Sequence, residues 1–279
     1  MPEALRTAAL QLRAAGRVVR RGGGPLRERL GPPDERMVFV IGSPRSGTTF
    51  VGRSLGSLPG FVDLGEVAPL KAAIPELVRL PPSEAAPRVR RILAATRRLG
   101  LVGSRRAVEQ TPETTFVAEA VALAFPHAAF VHVVRDGRDV VSSLLERGWL
   151  NAGKSGRDDA GHAYGPEARF WVEPERRDEF RTTSDARRAA WAWRRYVSAA
   201  LALGARPFEL RYERLVDRPD EVATELAAFL GVPVAPLATA LQAAHGGSIG
   251  RHERDLDAQA RADVLAEARD LLRELGFVD

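Results

Sequence analysis

The residues best placed to do chemistry are GSPRSGTT at positions 42–49, which follow an apolar run. Gly42 and Gly47 allow a tight turn in which successive backbone N–H groups face one anion. The positive end of a following helix adds to that attraction. Thr48 and Thr49 supply hydroxyl donors at the start of that helix, and Arg45 supplies a cation within the loop. The segment predicts a site for a phosphate or sulfate group.

The spacing of Gly42 and Gly47 matches that of the nucleoside-triphosphate loop, G-x-x-x-x-G-K-[ST], but Thr48 stands where that loop has Lys. That Lys reaches the β- and γ-phosphates, so the loop here is poorly equipped for a triphosphate. A sulfonate carries less charge than a phosphoryl group. Arg45 and backbone amides therefore suffice to stabilise its transfer without a magnesium ion.

A second anion site is indicated by residues 131–143, VHVVRDGRDVVSS. Arg135 ends an apolar run, and Ser143 lies eight residues on, a little over two helical turns later. Arg135 and Ser143 are thus able to close on a second phosphate near the first. Arg138 and Asp139 are expected to form ion pairs at the start of the helix. The alternative for Arg135 is a structural salt bridge at a strand end.

The elements that carry these segments alternate between strands and helices. Strands are predicted at 37–41, 108–110, 129–134 and 207–212, and helices at 48–58, 111–124, 138–146, 184–203, 220–230 and 258–275. This alternation predicts an α/β fold, with a parallel central sheet covered by helices on both faces. Ligands of such sheets bind at the carboxyl ends of the strands.

Two segments lie outside this alternation. Residues 1–34 are predicted to form a basic N-terminal helical extension that stands in solvent, with binding to an acidic surface as the alternative. Residues 35–279 are predicted to form a single domain. Within it, residues 148–181 are polar and rich in Gly and charge, which favours a substrate lid, with disorder as the competing interpretation.

Composition narrows the class of protein. The net charge is +5 and the sequence pI is about 10.3, which suits an anionic ligand or serves solubility alone. There is no Cys, so disulfides and thiol chemistry are excluded. No apolar stretch approaches the ~20 residues of a membrane helix. The first 34 residues lack the apolar core of a secretory signal. A cytoplasmic protein without a membrane span or a metal site is expected.

Together these segments resemble the superfamily of sulfotransferases that use 3′-phosphoadenosine 5′-phosphosulfate (PAPS). PRSGTT at 44–49 is similar to its 5′-phosphosulfate loop, and VVRDGRDVVSS at 133–143 is similar to its 3′-phosphate motif. ELRYERLVDRPDEVATELAAFL at 209–230 and SIGRHERDL at 248–256 have the look and order of its C-terminal half. The resemblance runs from about residue 37 to 275. PRSGTT followed by LGE is closest to the bacterial and tyrosylprotein-sulfotransferase-like branch.

The resemblance implies a P-loop-like α/β domain and assigns residues to the donor. The 5′-phosphosulfate would be held by Arg45, Ser46, Gly47, Thr48 and Thr49. The 3′-phosphate would be held by Arg135 and Ser143, with Arg251 as a second arm. Phe50 and Tyr212 match positions that contact adenine in relatives. A core aromatic at a strand end is the alternative for Tyr212.

The resemblance also implies a general base, Glu66 in LGEV, because a Glu near this place acts as the base in the resembling branch. Arg45 would stabilise charge on the bridging oxygen. It is not a proton donor, since the pKa of arginine exceeds ~12. Gln110 stands where many relatives have Lys before Thr-Pro, so a cationic contact is lost or is supplied by Lys71 or Lys154.

Other base candidates stay open. Glu109 is a second candidate, although a structural role at a strand end suits it better. His162, within the predicted lid, is an alternative base. His132 lies within a strand and is expected to be a satisfied core histidine.

The predicted function is transfer of a sulfonate from PAPS to a hydroxyl or amine of a small-molecule or peptide acceptor, which leaves adenosine 3′,5′-bisphosphate. One rival is a P-loop nucleotide kinase or NTPase, which needs the missing Lys and a magnesium-binding acid; Asp136 is the nearest candidate. The other is a non-enzymatic anion- or nucleic-acid-binding module, which needs basic residues interleaved with aromatics on one face. The aromatics gather instead around 164–196, so no nucleic-acid partner is expected. The acceptor and the oligomeric state are not readable from the sequence.

Overall fold

The computed structural model describes residues 3–21, 25–148, 150 and 169–279, and a five-stranded sheet lies at the centre of this part of the chain. The strands are β1 (Val38–Ile41), β2 (Phe61–Gly65), β3 (Arg106–Glu109), β4 (Ala129–Val134) and β5 (Phe208–Arg211). Their order is β2-β3-β1-β4-β5, and every neighbouring pair is parallel. All carboxyl ends therefore meet at one edge, and the predicted α/β fold with a parallel sheet is confirmed.

Helices cover both faces of this sheet. They are α1 (Glu3–Arg21), α2 (Leu26–Arg29), α3 (Thr48–Gly56), α4 (Ala68–Leu77), α5 (Pro82–Leu99), α6 (Ala118–Ala124), α7 (Gly137–Arg147), α8 (Arg177–Thr182), α9 (Asp185–Leu201), α10 (Tyr212–Asp217), α11 (Pro219–Leu230), α12 (Val234–Leu241), α13 (His252–Asp255) and α14 (Ala258–Glu274). Short 3₁₀ helices occupy Pro112–Val117 and Pro174–Arg176. None of the helices in the described ranges combines the length and the apolar composition needed to cross a membrane.

The central strand β1 shows why the chain folds this way. Its side chains alternate between faces, as the period of a strand requires. Phe39 and Ile41 pack with α1, α4, α5 and α6 on one side. Val38 and Val40 pack with α3, α11 and α12 on the other. Because both faces are buried, the strand is a continuous apolar run, which is the pattern that predicted it.

A third apolar cluster lies beyond the carboxyl end of β4. It joins α7, α9 and α14 around Trp191 and Trp193, both fully buried. Trp171 and Phe180 belong to the same cluster. The last part of the predicted lid, from residue 169 to 181, therefore packs against the domain. The part at 151–168, with Lys154, His162 and Tyr164, lies outside the described residues.

The N-terminal helix differs from the prediction. α1 forms over the expected residues, but it does not stand free in solvent, since Ala14, Ala15 and Val18 on one of its faces are buried. Arg17 Nη2 donates to the carbonyl of Glu66 at 2.8 Å. An apolar stripe on α1 is covered by α4, α5 and β2. The division of the chain at residues 34 and 35 stays a prediction.

The segment predicted as one helix over 111–124 is a 3₁₀ helix followed by α6. Its threonines explain the difference, because their hydroxyls bind nearby groups instead of leaving the backbone to a regular helix. Thr115 Oγ1 donates to the carbonyl of Pro112 at 2.7 Å. Thr114 Oγ1 donates to Glu109 Oε2 at 3.0 Å.

Candidate functional site

The loop after β1 turns tightly at the carboxyl edge of the sheet. Gly42 has φ +141° and Gly47 has φ +102°, a region that favours glycine. A Cβ on Gly42 would lie 2.5 Å from the Val133 carbonyl oxygen, and one on Gly47 would lie 2.6 Å from the Tyr212 ring. Space and backbone angle thus both require glycine at these positions. The turn delivers the chain into the N-terminus of α3, where backbone N–H groups attract an anion.

Arg45 connects this loop to the second predicted anion site. Arg45 Nε donates to Ser143 Oγ at 3.0 Å. Arg135 Nη1 donates to the Arg45 carbonyl oxygen at 3.4 Å. The contact follows from topology, because β1 and β4 are parallel neighbours. The structure therefore brings Arg45, Arg135 and Ser143 together, as the two sequence segments predicted.

Arg135 is almost fully buried and lies over the face of Tyr212, with its guanidinium carbon 5.0 Å from the ring centroid. Its Nη2 donates to the carbonyl and to the hydroxyl of Ser248, the latter at 3.0 Å. Nη2 is also 3.8 Å from Asp139 Oδ2, a weak form of the salt bridge that was the alternative for Arg135. Within the described residues, Nε is buried without a hydrogen-bond partner. One donor of Arg135 is therefore left for a ligand.

Asp139 fixes the loop at 248–252. Its Oδ2 accepts from the Gly250 N–H at 2.8 Å, and its Oδ1 accepts from the His252 N–H at 3.1 Å. His252 Nδ1 lies 2.6 Å from the same Oδ1. The sequence predicted only an ion pair at the start of a helix for Asp139. The expected pair of Arg138 is present, with Asp136 at 2.6 Å.

Arg251 is brought to the same region but is held by carboxylates. Its Nε is 2.7 Å from Asp255 Oδ2, and its Nη2 is 3.0 Å from Glu146 Oε2. Its predicted role on the 3′-phosphate stays a prediction, because that role competes with both ion pairs.

The electrostatics of the site favour an anion. Burial, followed by the charges of Arg147 and Arg135, lowers the pKa of Arg45 below its usual value. Ser46 Oγ is buried without a hydrogen-bond partner in the described part of the chain. Orphaned buried donors are costly. Ser46 Oγ and Arg135 Nε thus fit a bound oxyanion group.

The remaining donor-binding candidates have diverse surroundings. Thr48 is buried and Thr49 is exposed, both in the first turn of α3. Phe50 is half-buried against the apolar cluster of α3. Tyr212 is buried, and its hydroxyl donates to the His245 carbonyl at 3.2 Å. This burial fits the core-aromatic interpretation of Tyr212, and adenine contact stays a prediction for both aromatics.

Glu66 follows β2 at the same edge of the sheet, and its side chain is 30% exposed. Glu66 Oε2 is 2.7 Å from Lys71 Nζ, and that nitrogen is 3.4 Å from Glu113 Oε1. Lys71 is itself buried on α4. A carboxylate held by a buried cation, but open to solvent, is able to meet an acceptor. The sequence raised Lys71 only as a substitute cation, because α4 was not predicted.

Glu109 is the last residue of β3, and Gln110 follows it next to this group. Gln110 is buried, and its Oε1 has no hydrogen-bond partner in the described residues. Glu109 is fully buried and accepts from the Thr111 N–H at 2.8 Å and from the Thr114 hydroxyl at 3.0 Å. Burial raises the pKa of Glu109 to about 7. These contacts favour the structural interpretation of Glu109 over its role as a base.

His132 is buried in β4 as expected, and burial lowers its pKa to about 4. Its Nε2 has no hydrogen-bond partner in the part of the chain that the structure describes, so the expectation that it is satisfied is wrong. The sequence does not reveal this, because the missing partner depends on neighbouring strands. Among the described residues, no three His, Asp or Glu side chains are grouped to hold a metal ion.

Comparison with known proteins agrees with this geometry. A sequence model described as "Sulfotransferase family" matches residues 88–236. An uncharacterized protein of Aquifex aeolicus is 26% identical over 220 residues, which are 73% of this chain and 26% of that protein. The chain thus spans about a quarter of the length of that relative.

Two solved structures share the fold. The sulfotransferase domain from the curacin biosynthetic pathway matches with a TM-score of 0.53 and 16% identity, over 86% of this chain and 98% of that domain. Sulfotransferase STF9 from Mycobacterium avium matches with a TM-score of 0.51 and 17% identity, over 95% of this chain and 84% of that one. With a P-loop-like turn at the edge of a parallel sheet, and a family match over more than half of its length, the chain belongs to the sulfotransferase family.

Proposed function

We propose that this protein transfers the sulfonate group of PAPS to a hydroxyl or amine of a small-molecule or peptide acceptor, leaving adenosine 3′,5′-bisphosphate (PAP). The observation that carries the proposal is the 3.0 Å bond between Arg45 Nε and Ser143 Oγ. It joins two anion-binding segments that are 98 residues apart in sequence. A ligand with two separate anionic groups fits such a double site better than a single phosphate does.

The donor supplies an activated sulfonate when it is bound. One group of residues suits its 5′-phosphosulfate end and another suits its 3′-phosphate end. The N-terminus of α3, Ser46 and Arg45 suit the 5′-phosphosulfate. Arg135 and Ser143 suit the 3′-phosphate, since Arg135 has a buried Nε that no other described residue binds. Thr48 and Thr49 add hydroxyl donors at the helix start. Preorganised donors of this kind stabilise developing charge without rearranging during the reaction.

Glu66 is proposed as the general base that takes the proton of the acceptor. A base needs hydrogen-bond reach to that proton, and the 30% exposure of Glu66 leaves its carboxylate accessible. Lys71 holds Glu66 Oε2 at 2.7 Å and thereby orients the carboxylate. Arg45 stabilises negative charge on the bridging oxygen of the donor and donates no proton, because arginine stays protonated.

The donor is tested by differential thermal stabilisation. We expect PAP to raise the melting temperature and to bind measurably in calorimetry, whereas ATP with Mg²⁺ has little effect. Arg135→Ala should weaken PAP binding by roughly tenfold or more, since charge-assisted hydrogen bonds are the strong ones. Arg98→Ala, at an exposed arginine on α5, is the matched control. Stabilisation by ATP–Mg²⁺ but not by PAP would refute the proposal in favour of a kinase or NTPase.

The base is tested by transfer of labelled sulfonate from PAPS to a panel of phenols, alcohols, amines and tyrosine peptides. Glu66→Gln should lower transfer by about 10²–10⁴-fold, the usual contribution of a general base, and leave PAP affinity unchanged. Glu76→Gln changes an exposed carboxylate on α4 that pairs with Arg88, and it should leave both unchanged. Full turnover in Glu66→Gln would show that another group is the base.

A further inference from the structure

A cavity of about 610 Å³ lies between the C-terminal end of α4 and residues 169–181. Its walls are apolar, with Pro75 and Val78 on one side and Val172 and Phe180 on the other. This volume is in the range of pockets that enclose small molecules. None of the assignments above accounts for it.

The charged side chains that line this cavity within the described ranges are all basic. Four arginines line it: Arg79, Arg169, Arg177 and Arg181. No acidic side chain is among its described lining residues. Arg181 is paired with Asp178 at 2.7 Å, but Arg177 has no carboxylate partner within the described ranges. An apolar body with an anionic group is the ligand chemistry that complements these walls.

Two elements connect the cavity to Glu66. On α4, Lys71 binds Glu66 at 2.7 Å, and Pro75 lies one turn further along the same face. In the 3₁₀ helix, Glu113 lies 3.4 Å from Lys71, and side chains three residues apart share one side. Phe116 is in that position and stacks edge-on with Phe170 of the cavity wall, at 5.3 Å between ring centroids. Both connections lead from the proposed base to the cavity.

The length of the connection follows from helix geometry. Seven residues separate Lys71 from Val78, which corresponds to about 10 Å at 1.5 Å per residue. A molecule that reaches Glu66 with its hydroxyl and fills the cavity with its body therefore extends over about 10 Å or more.

We propose that this cavity is the acceptor pocket and that it takes a small amphipathic anion. The acceptor has an apolar body, a carboxylate, phosphate or sulfate that meets Arg177 in the cavity, and a nucleophilic group that meets Glu66 at the other end of the roughly 10 Å span along α4. The role as acceptor pocket rests on the proposed function. The ligand chemistry rests on the cavity alone, and the two are tested separately.

The ligand chemistry is tested by fluorescence titration with 11-(dansylamino)undecanoate and with its methyl ester, which differs only in charge. The acid should bind saturably and at least roughly tenfold more tightly than the ester, as expected for a lost charge-assisted contact. Arg177→Glu should weaken the acid at least roughly tenfold and leave the ester unchanged. Arg98→Glu, a charge reversal of an exposed arginine outside the cavity, should leave both unchanged.

Val78→Asp provides a second variant, since it places a carboxylate on the cavity wall at a partly buried position. It should also weaken the acid, and its melting temperature and PAP affinity show whether it is folded. Equal binding of acid and ester, or full affinity in Arg177→Glu, overturns the proposal. Failure of PAP to bind the unaltered protein would instead refute the proposed function. The titrations with the acid and the ester would still decide the ligand chemistry of the cavity.

The acceptor role is tested by sulfonate transfer to 8-hydroxyoctanoate and to 1,8-octanediol. The hydroxy acid should have the higher kcat/KM, and Arg177→Glu should remove that preference through KM. Equal kcat/KM for the two acceptors, with PAP binding intact, would show that the cavity does not select the acceptor.

Discussion

Gly47→Ala tests how tightly the donor loop is built. Gly47 has φ +102° and stands immediately before α3. A Cβ there would lie 2.6 Å from Tyr212 Cδ2 and 2.7 Å from Cε2. The ring has little freedom to move, because its hydroxyl binds the His245 carbonyl and Arg135 lies over its face. The substitution must therefore displace either the ring or the loop.

The expected magnitude has two parts. A left-handed backbone conformation costs an L-residue about 1–2 kcal/mol. Forcing an extra methyl into a packed site costs about 1–3 kcal/mol more. Because Arg45 and Ser46 belong to the same turn, displacement also misplaces the donors of the anion. We expect the free energy of unfolding to fall by about 2–5 kcal/mol and PAP to bind at least roughly tenfold more weakly.

Gly231→Ala is the matched control. Gly231 has φ +65° at the end of α11, and nothing lies within 4 Å of a Cβ built there. Here only the cost of the left-handed backbone conformation applies, so the free energy of unfolding should fall by about 1–2 kcal/mol. The PAP affinity should not change. Urea unfolding gives the first quantity and calorimetric titration gives the second. If the two variants behave alike in both assays, the contact of Gly47 with Tyr212 does not shape the donor site.

Four further predictions concern groups outside the loop. Asp139→Asn should weaken the hydrogen bonds that hold the loop at 248–252 beside Arg135, and calorimetry should show a roughly tenfold lower PAP affinity. Unchanged affinity would contradict this role of Asp139. Val18→Ala should lower the free energy of unfolding by about 1–2 kcal/mol, because the side chain is fully buried. Val19→Ala changes an exposed neighbour and should alter the free energy of unfolding little. Equal effects of the two substitutions in urea unfolding would mean that α1 does not stabilise the domain. Burial raises the pKa of Glu109 from 4.5 to about 7, so this carboxyl destabilises the wild type increasingly as pH rises from 4.5 to 7. In urea titrations over that pH range, the free energy of unfolding of Glu109→Gln should rise by about 3 kcal/mol relative to that of the wild type. Burial lowers the pKa of His132 from 6.5 to about 4, so this imidazole destabilises the wild type increasingly as pH falls from 6.5 to 4. Over that range the free energy of unfolding of His132→Leu should rise by a similar amount relative to that of the wild type. For either variant, a difference from the wild type that does not change with pH would refute the assigned titration.

The elements that the sequence predicted are those whose pattern is local. β1 is an unbroken apolar run and β4 is interrupted only by His132, because both faces of each strand are buried. β2 was not predicted, since Asp63 interrupts its apolar residues. In the structure this carboxylate accepts a hydrogen bond from the Gly65 N–H at 2.7 Å and forms a salt bridge with Arg21 at 2.9 Å. The second partner lies 42 residues away, so no local pattern reveals it.

The helices α4 and α5 were missed for a related reason. Pro75 lies inside α4 and Pro87 lies inside α5, where proline normally argues against a helix. Both helices are stabilised by burial against the sheet, with Leu70 and Val89 in the same apolar cluster. Tertiary packing of one face therefore outweighs the local cost of proline.

The candidate site divides in the same way. The meeting of Arg45 and Ser143 was predictable, because parallel neighbouring strands end at one edge and each strand carries one anion-binding segment. The bonds of Asp139 to residues 250 and 252 were not, since they depend on how a distant loop folds back over α7. Lys71 could be placed beside Glu66 only after α4 was known.

The proposed donor site contains buried donors that lack partners within the described chain. Buried cations and unpaired donors are unfavourable unless a partner is supplied. Burial and neighbouring arginines lower the pKa of Arg45, while Ser46 Oγ and Arg135 Nε are buried without partners among the described residues. Arg188, by contrast, binds four backbone carbonyls. Arg29 Nε and Arg97 Nε are also buried without partners in the described chain, away from the two loops. The two orphaned donors at the meeting of the two loops, Ser46 Oγ and Arg135 Nε, support the proposed position of the anionic donor, because a ligand bound there would supply their missing partners.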